Sequence, residues 1–277
     1  MPGDSRTPQV ALRPHAARYP RRLVIDLHAH ILPSVDDGPR TWGEALEILR
    51  TMAADGVAAV AATPHVRDDY PTTAETMERL VSELRDRVAD AGIALEVLTG
   101  GEIALSVLDR LDEDELRRFG LGGNPSCLLL EFPYYGWPLG LEEAVARLVR
   151  GGTRPVVAHP ERSAEVQAAP ERLRAAVEAG AVVQLTAASL DGRLGRPSHA
   201  AGLELLDRGL AHLVASDAHT PQLREAGLSG IARAVADSQL AHWLAELVPA
   251  ALVAGSSLPP RPASAAPKRR RFRFFRA

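Results

Sequence analysis

The sequence has one cysteine in 277 residues, Cys127. No intrachain disulfide is available, and a reducing cytoplasm is the default compartment. It has one lysine, Lys268, so the preceding residues offer no Schiff-base chemistry. No apolar run reaches the roughly 20 residues that cross a bilayer. The opening MPGDSRTPQVALRPHAARYPRR has no apolar h-region, so a secretory signal is not expected. A thiol phosphatase is also disfavoured. Cys127 continues as Leu128-Leu129-Leu130-Glu131-Phe132-Pro133, an apolar strand-like run and not a phosphate-cradling loop ending in arginine.

What is there is a mixed, globular composition with 46% hydrophobic residues, in a length that one large domain fills. Charge is divided unevenly. Residues 1–22 carry five Arg and one Asp, and residues 256–277 carry six Arg and one Lys, which leaves −14 for residues 23–255 within a net charge of −3. An acidic body suits the collection of metal cations and argues against nucleic acid as a partner. The two ends, rich in Pro and Arg, read as disordered extensions around one domain over residues 23–255.

Within 23–255, short β-like runs alternate with amphipathic stretches. The runs are Leu23–Ile31, Val57–His65, Leu95–Ile103, Cys127–Phe132, Pro155–His159, Val182–Ala187 and His212–Asp217. The stretch from Thr41 to Ala54 puts Ala45, Leu46, Leu49 and Met52 on one face. Gly56, Gly92, Gly152, Gly180 and Gly209 stand between a helical stretch and the next strand, where a C-terminal cap belongs. Seven strands alternating with helices predict a parallel α/β architecture. A closed barrel is expected over an open sheet, because the polar residues described next sit at the ends of six strands and only a barrel brings all such ends to one mouth.

The first strand ends Asp26-Leu27-His28-Ala29-His30. Strand alternation projects Asp26, His28 and His30 to one side, which suits two imidazoles on one divalent ion with Asp26 orienting one of them. A turn with adjacent carboxylates follows, Val35-Asp36-Asp37-Gly38. Later strands end at His65, Glu102, Glu131, His159-Pro160-Glu161-Arg162 and Asp217-Ala218-His219. Charged groups recurring at strand ends need partners or a metal, because burying them alone is costly. His15, His199, His212 and His242 lack this placement and are left out of the site.

The motifs DLHAHILPSVDDG (26–38), ATPH (62–65), GGEI (100–103), LLEFP (129–133), PVVAHPER (155–162), QLTAASLDG (184–192) and VASDAH (214–219) resemble the PHP (polymerase and histidinol phosphatase) superfamily. More closely, they resemble its bacterial manganese-dependent protein-tyrosine phosphatases of the CpsB/CapC type. The resemblance implies a distorted seven-stranded (β/α)7 barrel of PHP type. It implies three Mn ions, with Fe or Zn as substitutes compatible with a nitrogen and oxygen donor set. One ion would lie on His28, His30, Glu102 and Asp217. A second would share Glu102 and add Glu131 and His159, and a third would lie on Asp37, His65 and His219. Four carboxylates against three divalent ions leave a positive pocket for a phosphate dianion. Arg162 and Arg224 stand where the family grips the phosphoryl group.

The expected reaction is hydrolysis of a phosphate monoester by metal-activated water, without a phosphoenzyme. Phosphotyrosine in a protein is the expected substrate by resemblance, and its carrier a bacterial tyrosine kinase of capsule or exopolysaccharide export. The aromatic run Phe132-Pro133-Tyr134-Tyr135-Gly136-Trp137 suits a phenyl ring beside the metals. Alternative readings are a small-molecule phosphatase of histidinol-phosphate type, a nuclease-like PHP domain and a non-catalytic metal-binding regulator. No ligand is missing, which counts against the last. Thr186 and Ser189 stand where the family has Asn or Ser. The tail Lys268-Arg-Arg-Arg-Phe-Arg-Phe-Phe-Arg276 suits an anionic membrane surface, at roughly 1 kcal/mol per basic residue. That placement makes the protein cytoplasmic and peripheral at the inner face of the membrane.

Overall fold

The structure is a computed structural model and describes residues 24–220 and 228–263. The basic extension 1–22, Arg224 and the Lys268–Arg276 run lie outside the described residues.

The described strands are β1 (Val24–Ala29), β2 (Val57–Ala62), β3 (His65–Arg67), β4 (Tyr70–Pro71), β5 (Glu96–Leu98), β6 (Glu102–Ala104), β7 (Cys127–Glu131), β8 (Arg154–Ala158), β9 (Val182–Thr186) and β10 (Leu213–Ala215). They form a three-stranded sheet, β1-β2-β5, and a seven-stranded sheet, β10-β9-β8-β7-β6-β3-β4. All pairs are parallel except the β3–β4 hairpin. This is a mixed α/β fold built on parallel sheet.

Two runs that read as single strands are each broken in the middle. The second breaks at Thr63-Pro64 and the third at Thr99-Gly100-Gly101, and both continue in the other sheet. Pro64 has no N–H for a ladder, while its carbonyl accepts from Glu102 N at 3.0 Å. At Gly101 an added Cβ would stand 2.5 Å from the Phe119 ring, so the chain passes there only as glycine. At the far side, β1 meets the end of β10. Asp217 N donates to His28 O at 2.8 Å and His30 N to Ala218 O at 2.9 Å.

The helices form for local reasons and then bury one stripe. Thr41 caps Trp42–Ala54 by accepting from Glu44 N, and the Glu44 carboxylate accepts from Thr41 N in return, a capping box. That helix buries Ala45, Ile48, Leu49 and Met52. Ile48 takes the core position expected of Leu46, which is only half-buried. Ala74–Asp90 buries Met77, Leu80, Val81, Leu84 and Val88, each contributing about 1.5–3 kcal/mol. Leu84 is fully buried, so Leu84→Ala is a roughly 2–5 kcal/mol lesion. The glycines read as helix caps hold positive φ, +93° at Gly56 and +110° at Gly180.

The body extends past residue 255. Ser256 O accepts from Arg154 Nη1 at 2.9 Å, and Pro259 O accepts from Trp243 Nε1 at 3.0 Å. Arg261 donates to Leu206 O (2.7 Å) and Ala211 O (3.1 Å). It thereby ties this segment to the end of the helix Arg196–Asp207 and to the turn before β10. The Pro- and Ser-rich composition there looks like linker, but these backbone carbonyls and one guanidinium tie it down.

Candidate metal centre

All nine residues read as ligands come together, from β1 and the loop after it, the starts of β3 and β6, the end of β7 and the segments just past β8 and β10. The clusters are His30, Asp37, His65 and His219; His28, His30 and Asp217; His28, Glu102 and His159; and His65, Glu102 and Glu131. The grouping is more interlocked than three separate sets. His65 reaches both Glu102 and Asp37, with Nδ1 at 2.9 Å from Glu102 Oε2 and Nε2 at 3.5 Å from Asp37 Oδ1. Glu102 is fully buried on β6 and touches four imidazoles. They are His28 (3.3 Å), His30 (3.3 Å), His65 (2.9 Å) and His159 (2.8 Å).

Three imidazoles are fixed by an acceptor at Nδ1. His28 Nδ1 donates to Gln184 Oε1 at 3.0 Å, His30 Nδ1 to Asp36 Oδ2 at 2.7 Å and His219 Nδ1 to Asp217 O at 2.9 Å. An acceptor there places the proton on Nδ1 and turns the Nε2 lone pair inward. His28 Nε2 and His30 Nε2 then face one another at 3.2 Å. Two nitrogens at that distance must share a proton or a metal ion. Glu102 Oε2 and Asp217 Oδ1 are buried beside them without a hydrogen-bond partner, although buried carboxylate oxygens are rarely left so. The donor set and its orphaned oxygens fit divalent metal.

The electrostatics agree. Burial opposes protonation of His28, but the Glu102 and Asp217 carboxylates outweigh it and hold the imidazole up at about 9. His30 is likewise raised against burial, by Asp36 and Glu102. Burial opposes ionisation of Glu102, and the surrounding imidazoles overcome it and hold the carboxyl well below its ordinary range. His219 is the main cause of the lowering at Asp37. The centre thus attracts positive charge from whatever source supplies it. Two of its residues hold strained backbone, His159 at φ +37° and Asp217 at φ +53°, a conformation that costs a non-glycine residue of order 1–3 kcal/mol.

Asp26 does not orient an imidazole. Its Oδ1 accepts from Ser216 N at 3.0 Å and His28 N at 3.3 Å, so it ties β1 to the end of β10. The orienting residues are Gln184 and Asp36. Gln184 Oε1 also accepts from His159 N at 3.3 Å. Asp36 also accepts from His65 N at 3.1 Å and Gly38 N at 3.0 Å. A glutamine inside the apolar strand Val182-Val183-Gln184-Leu185-Thr186 was the available signal, since a buried amide requires partners. Thr186 and Ser189 lie behind the centre, not in it. Thr186 N and Ser189 Oγ donate to buried Glu161 Oε1 at 2.9 and 2.7 Å.

Two arginines of the described residues touch the cluster. Arg162 Nη1 lies 2.5 Å from Asp217 Oδ2, and its guanidinium covers the Tyr134 ring at 4.8 Å. Arg67, absent from the sequence reading, lies 2.7 Å from Glu131 Oε1 and 2.8 Å from Asp69 Oδ1. It follows His65 by two residues in β3, so alternation alone puts both on one face. The Tyr134 ring is stacked on His159 with centroids 5.8 Å apart. Cys127 is buried in β7 and burial pushes its thiol up to about 12, which removes it as a nucleophile. His199, His212 and His242 lie away from the centre, on Ser189 O, Val183 N and Glu246.

A family model described as capsular polysaccharide synthesis, CpsB/CapC, matches residues 24–248. The chain belongs to the CpsB/CapC family. It is 35% identical over 203 residues to the tyrosine-protein phosphatase YwqE of Bacillus subtilis, covering 73% of this chain and 79% of that one. It is 32% identical over 201 residues to the putative tyrosine-protein phosphatase CapC of Staphylococcus aureus, covering 71% and 77%. Among solved structures it is similar to one described with YwqE from B. subtilis and CpsB from Streptococcus pneumoniae as unique metal-dependent tyrosine phosphatases. That match has a TM-score of 0.76 and 30% identity, covering 87% of this chain and 99% of the other. Among the described residues of this family member, no helix is long and apolar enough to cross a membrane.

Proposed function

We propose that this CpsB/CapC protein is a metal-dependent protein-tyrosine phosphatase. The observation that carries the reading is the set of nine His, Asp and Glu side chains interlocked around Glu102, in a chain whose relatives bear that name.

Three Mn ions are the assignment we favour, with Fe or Zn as substitutes. His28, His30, Glu102 and Asp217 hold one, Glu102, Glu131 and His159 a second, and Asp37, His65 and His219 a third. The overlap of the four clusters at His28, His30, His65 and Glu102 supports neighbouring ions with shared ligands. When bound, divalent ions lower the pKa of a coordinated water and polarise a phosphoryl oxygen. Gln184 and Asp36 keep the imidazoles aimed inward. Arg162 presents a guanidinium fork to the phosphoryl oxygens, and we assign the same role to Arg224. Tyr134, packed between His159 and Arg162, walls the position of the substrate phenyl ring. A strand circuit of (β/α)7 type underlies the site. The chain continuity of β2 into β3 and of β5 into β6, together with the β1–β10 contact, supports it.

The natural substrate we assign is a tyrosine-phosphorylated kinase of capsule or exopolysaccharide synthesis, met in the cytoplasm at the inner membrane face, where the basic tail holds the enzyme near anionic lipid. The test is turnover of p-nitrophenyl phosphate and of a phosphotyrosine peptide after chelation and after return of Mn, Fe or Zn. Activity lost on chelation and restored by one of these metals supports the reading. Turnover that survives complete metal removal overturns it, and preference for histidinol phosphate over the peptide selects the small-molecule alternative.

A further inference from the structure

Five large hydrophobic side chains stand exposed among the described residues, and three of them, Tyr134, Tyr135 and Leu139, belong to the loop that directly follows Glu131. Leu139 is 96% exposed. A lone exposed leucine needs no explanation, but a cluster beside a reactive centre does. Next to this loop runs a groove of about 490 Å³ whose lining includes Arg67, Leu105, Glu131, Pro133, Pro138 and Leu139, a size typical of ligand sites at roughly 300–1,000 Å³. Glu131 and Arg67 join it to the metal centre. A second hollow shares Leu105, Pro138 and Leu139 and extends to Asp109 and Arg147. The two therefore form a track leading away from the metals, with Leu105 and Leu139 at its midpoint.

A phosphotyrosine in a protein enters the centre attached to chain on both sides, and that chain must leave across the rim. We propose that the groove seats the polypeptide flanking the phosphotyrosine, with an apolar substrate side chain against Leu105 and Leu139. This rests on the phosphatase reading and adds to it a sequence preference. The continuity of the groove with Glu131 argues for substrate chain as the occupant, and its apolar midpoint argues for an apolar neighbour of the phosphotyrosine.

The experiment compares two phosphotyrosine peptides of equal length, one with Leu and one with Ser beside the phosphotyrosine, on metal-loaded full-length protein, with p-nitrophenyl phosphate as the reference. Wild-type protein is expected to prefer the Leu peptide about tenfold in kcat/KM, through KM, the effect of burying one such side chain. Leu139→Ser and Leu105→Ser are each expected to bring that preference close to one, relative to p-nitrophenyl phosphate. No preference in wild type, or a preference that survives both substitutions, overturns the groove assignment. Hydrolysis of neither peptide nor p-nitrophenyl phosphate by metal-loaded wild type removes the phosphatase reading and this proposal with it. Thermal melts of both variants separate loss of fold from loss of the contact.

Discussion

Gln184→Leu isolates the part of the centre that touches no metal. Gln184 is fully buried, and its Oε1 accepts from His28 Nδ1 at 3.0 Å and from His159 N at 3.3 Å. Leucine has similar bulk and no acceptor. His28 then loses the bond that fixes its tautomer and ring angle, which in such sites costs 10- to 100-fold in metal affinity, about 1.4–2.8 kcal/mol. Stability should move less. The unpaired His28 Nδ1 costs roughly 1–3 kcal/mol. However, Gln184 Nε2 is itself buried without a partner, and its removal offsets part of that. The assay is a metal titration of apoprotein, read both by bound metal and by p-nitrophenyl phosphate turnover, beside a thermal melt without metal. The expected result is a half-saturating metal concentration raised 10- to 100-fold, recovery of much of the rate at high metal, and a small change in Tm. Gln184→Glu keeps an acceptor at the same place and should retain metal affinity better than Gln184→Leu. Equal metal affinity in Gln184→Leu and wild type would refute the orienting role.

The remaining expectations are shorter. Asp36→Ala should weaken metal binding about 10- to 100-fold, because His30 Nδ1 loses its acceptor; unchanged metal content at limiting metal would count against it. Arg162→Ala should keep bound metal and lower kcat about 10²–10³-fold, and loss of metal in that variant would show a structural role instead. In chelator-treated protein, His28 is held up at about 9, so its stabilising effect is complete below the ordinary histidine value of about 6.5 and is lost as pH rises toward 9. Tm of the apoprotein should therefore fall over that window while metal affinity rises through it, and an apoprotein Tm that climbs with pH would contradict the charge assignment. Truncation after Ser257 removes the three hydrogen bonds of Pro259 and Arg261 and should cost roughly 1.5–4.5 kcal/mol; a melt equal to that of the full chain would sink this account.

Much of the fold was legible because the apolar runs are short and six of the seven carry His, Asp or Glu at or next to the last residue. Seven short runs, separated by helical stretches and glycine caps, leave few architectures open. The candidate cluster was legible in part for the same reason, since His28 and His30 alternate on one run, whereas Asp37 sits in a turn and His65 and Glu102 open β3 and β6. What escaped depends on which backbone passes nearby. Nothing in the pattern of Val57–His65 says that Thr63-Pro64 hands the chain to another sheet. Asp26 and Asp36 are both carboxylates close to the HAH motif, and only the tertiary path decides that Asp36 faces an imidazole and Asp26 a backbone amide. Arg67 carries no motif, and its role at Glu131 comes from the pairing of β3 with β6 and of β6 with β7.

Glu102 is reached by imidazoles from β1, β3 and the end of β8, as well as by the residue after β1. One carboxylate thus touches side chains delivered by three separate strands. A change at Glu102 cannot stay local: shortening or neutralising it removes the shared partner of four imidazoles at once, so its effect spreads over β1, β3 and the end of β8 together.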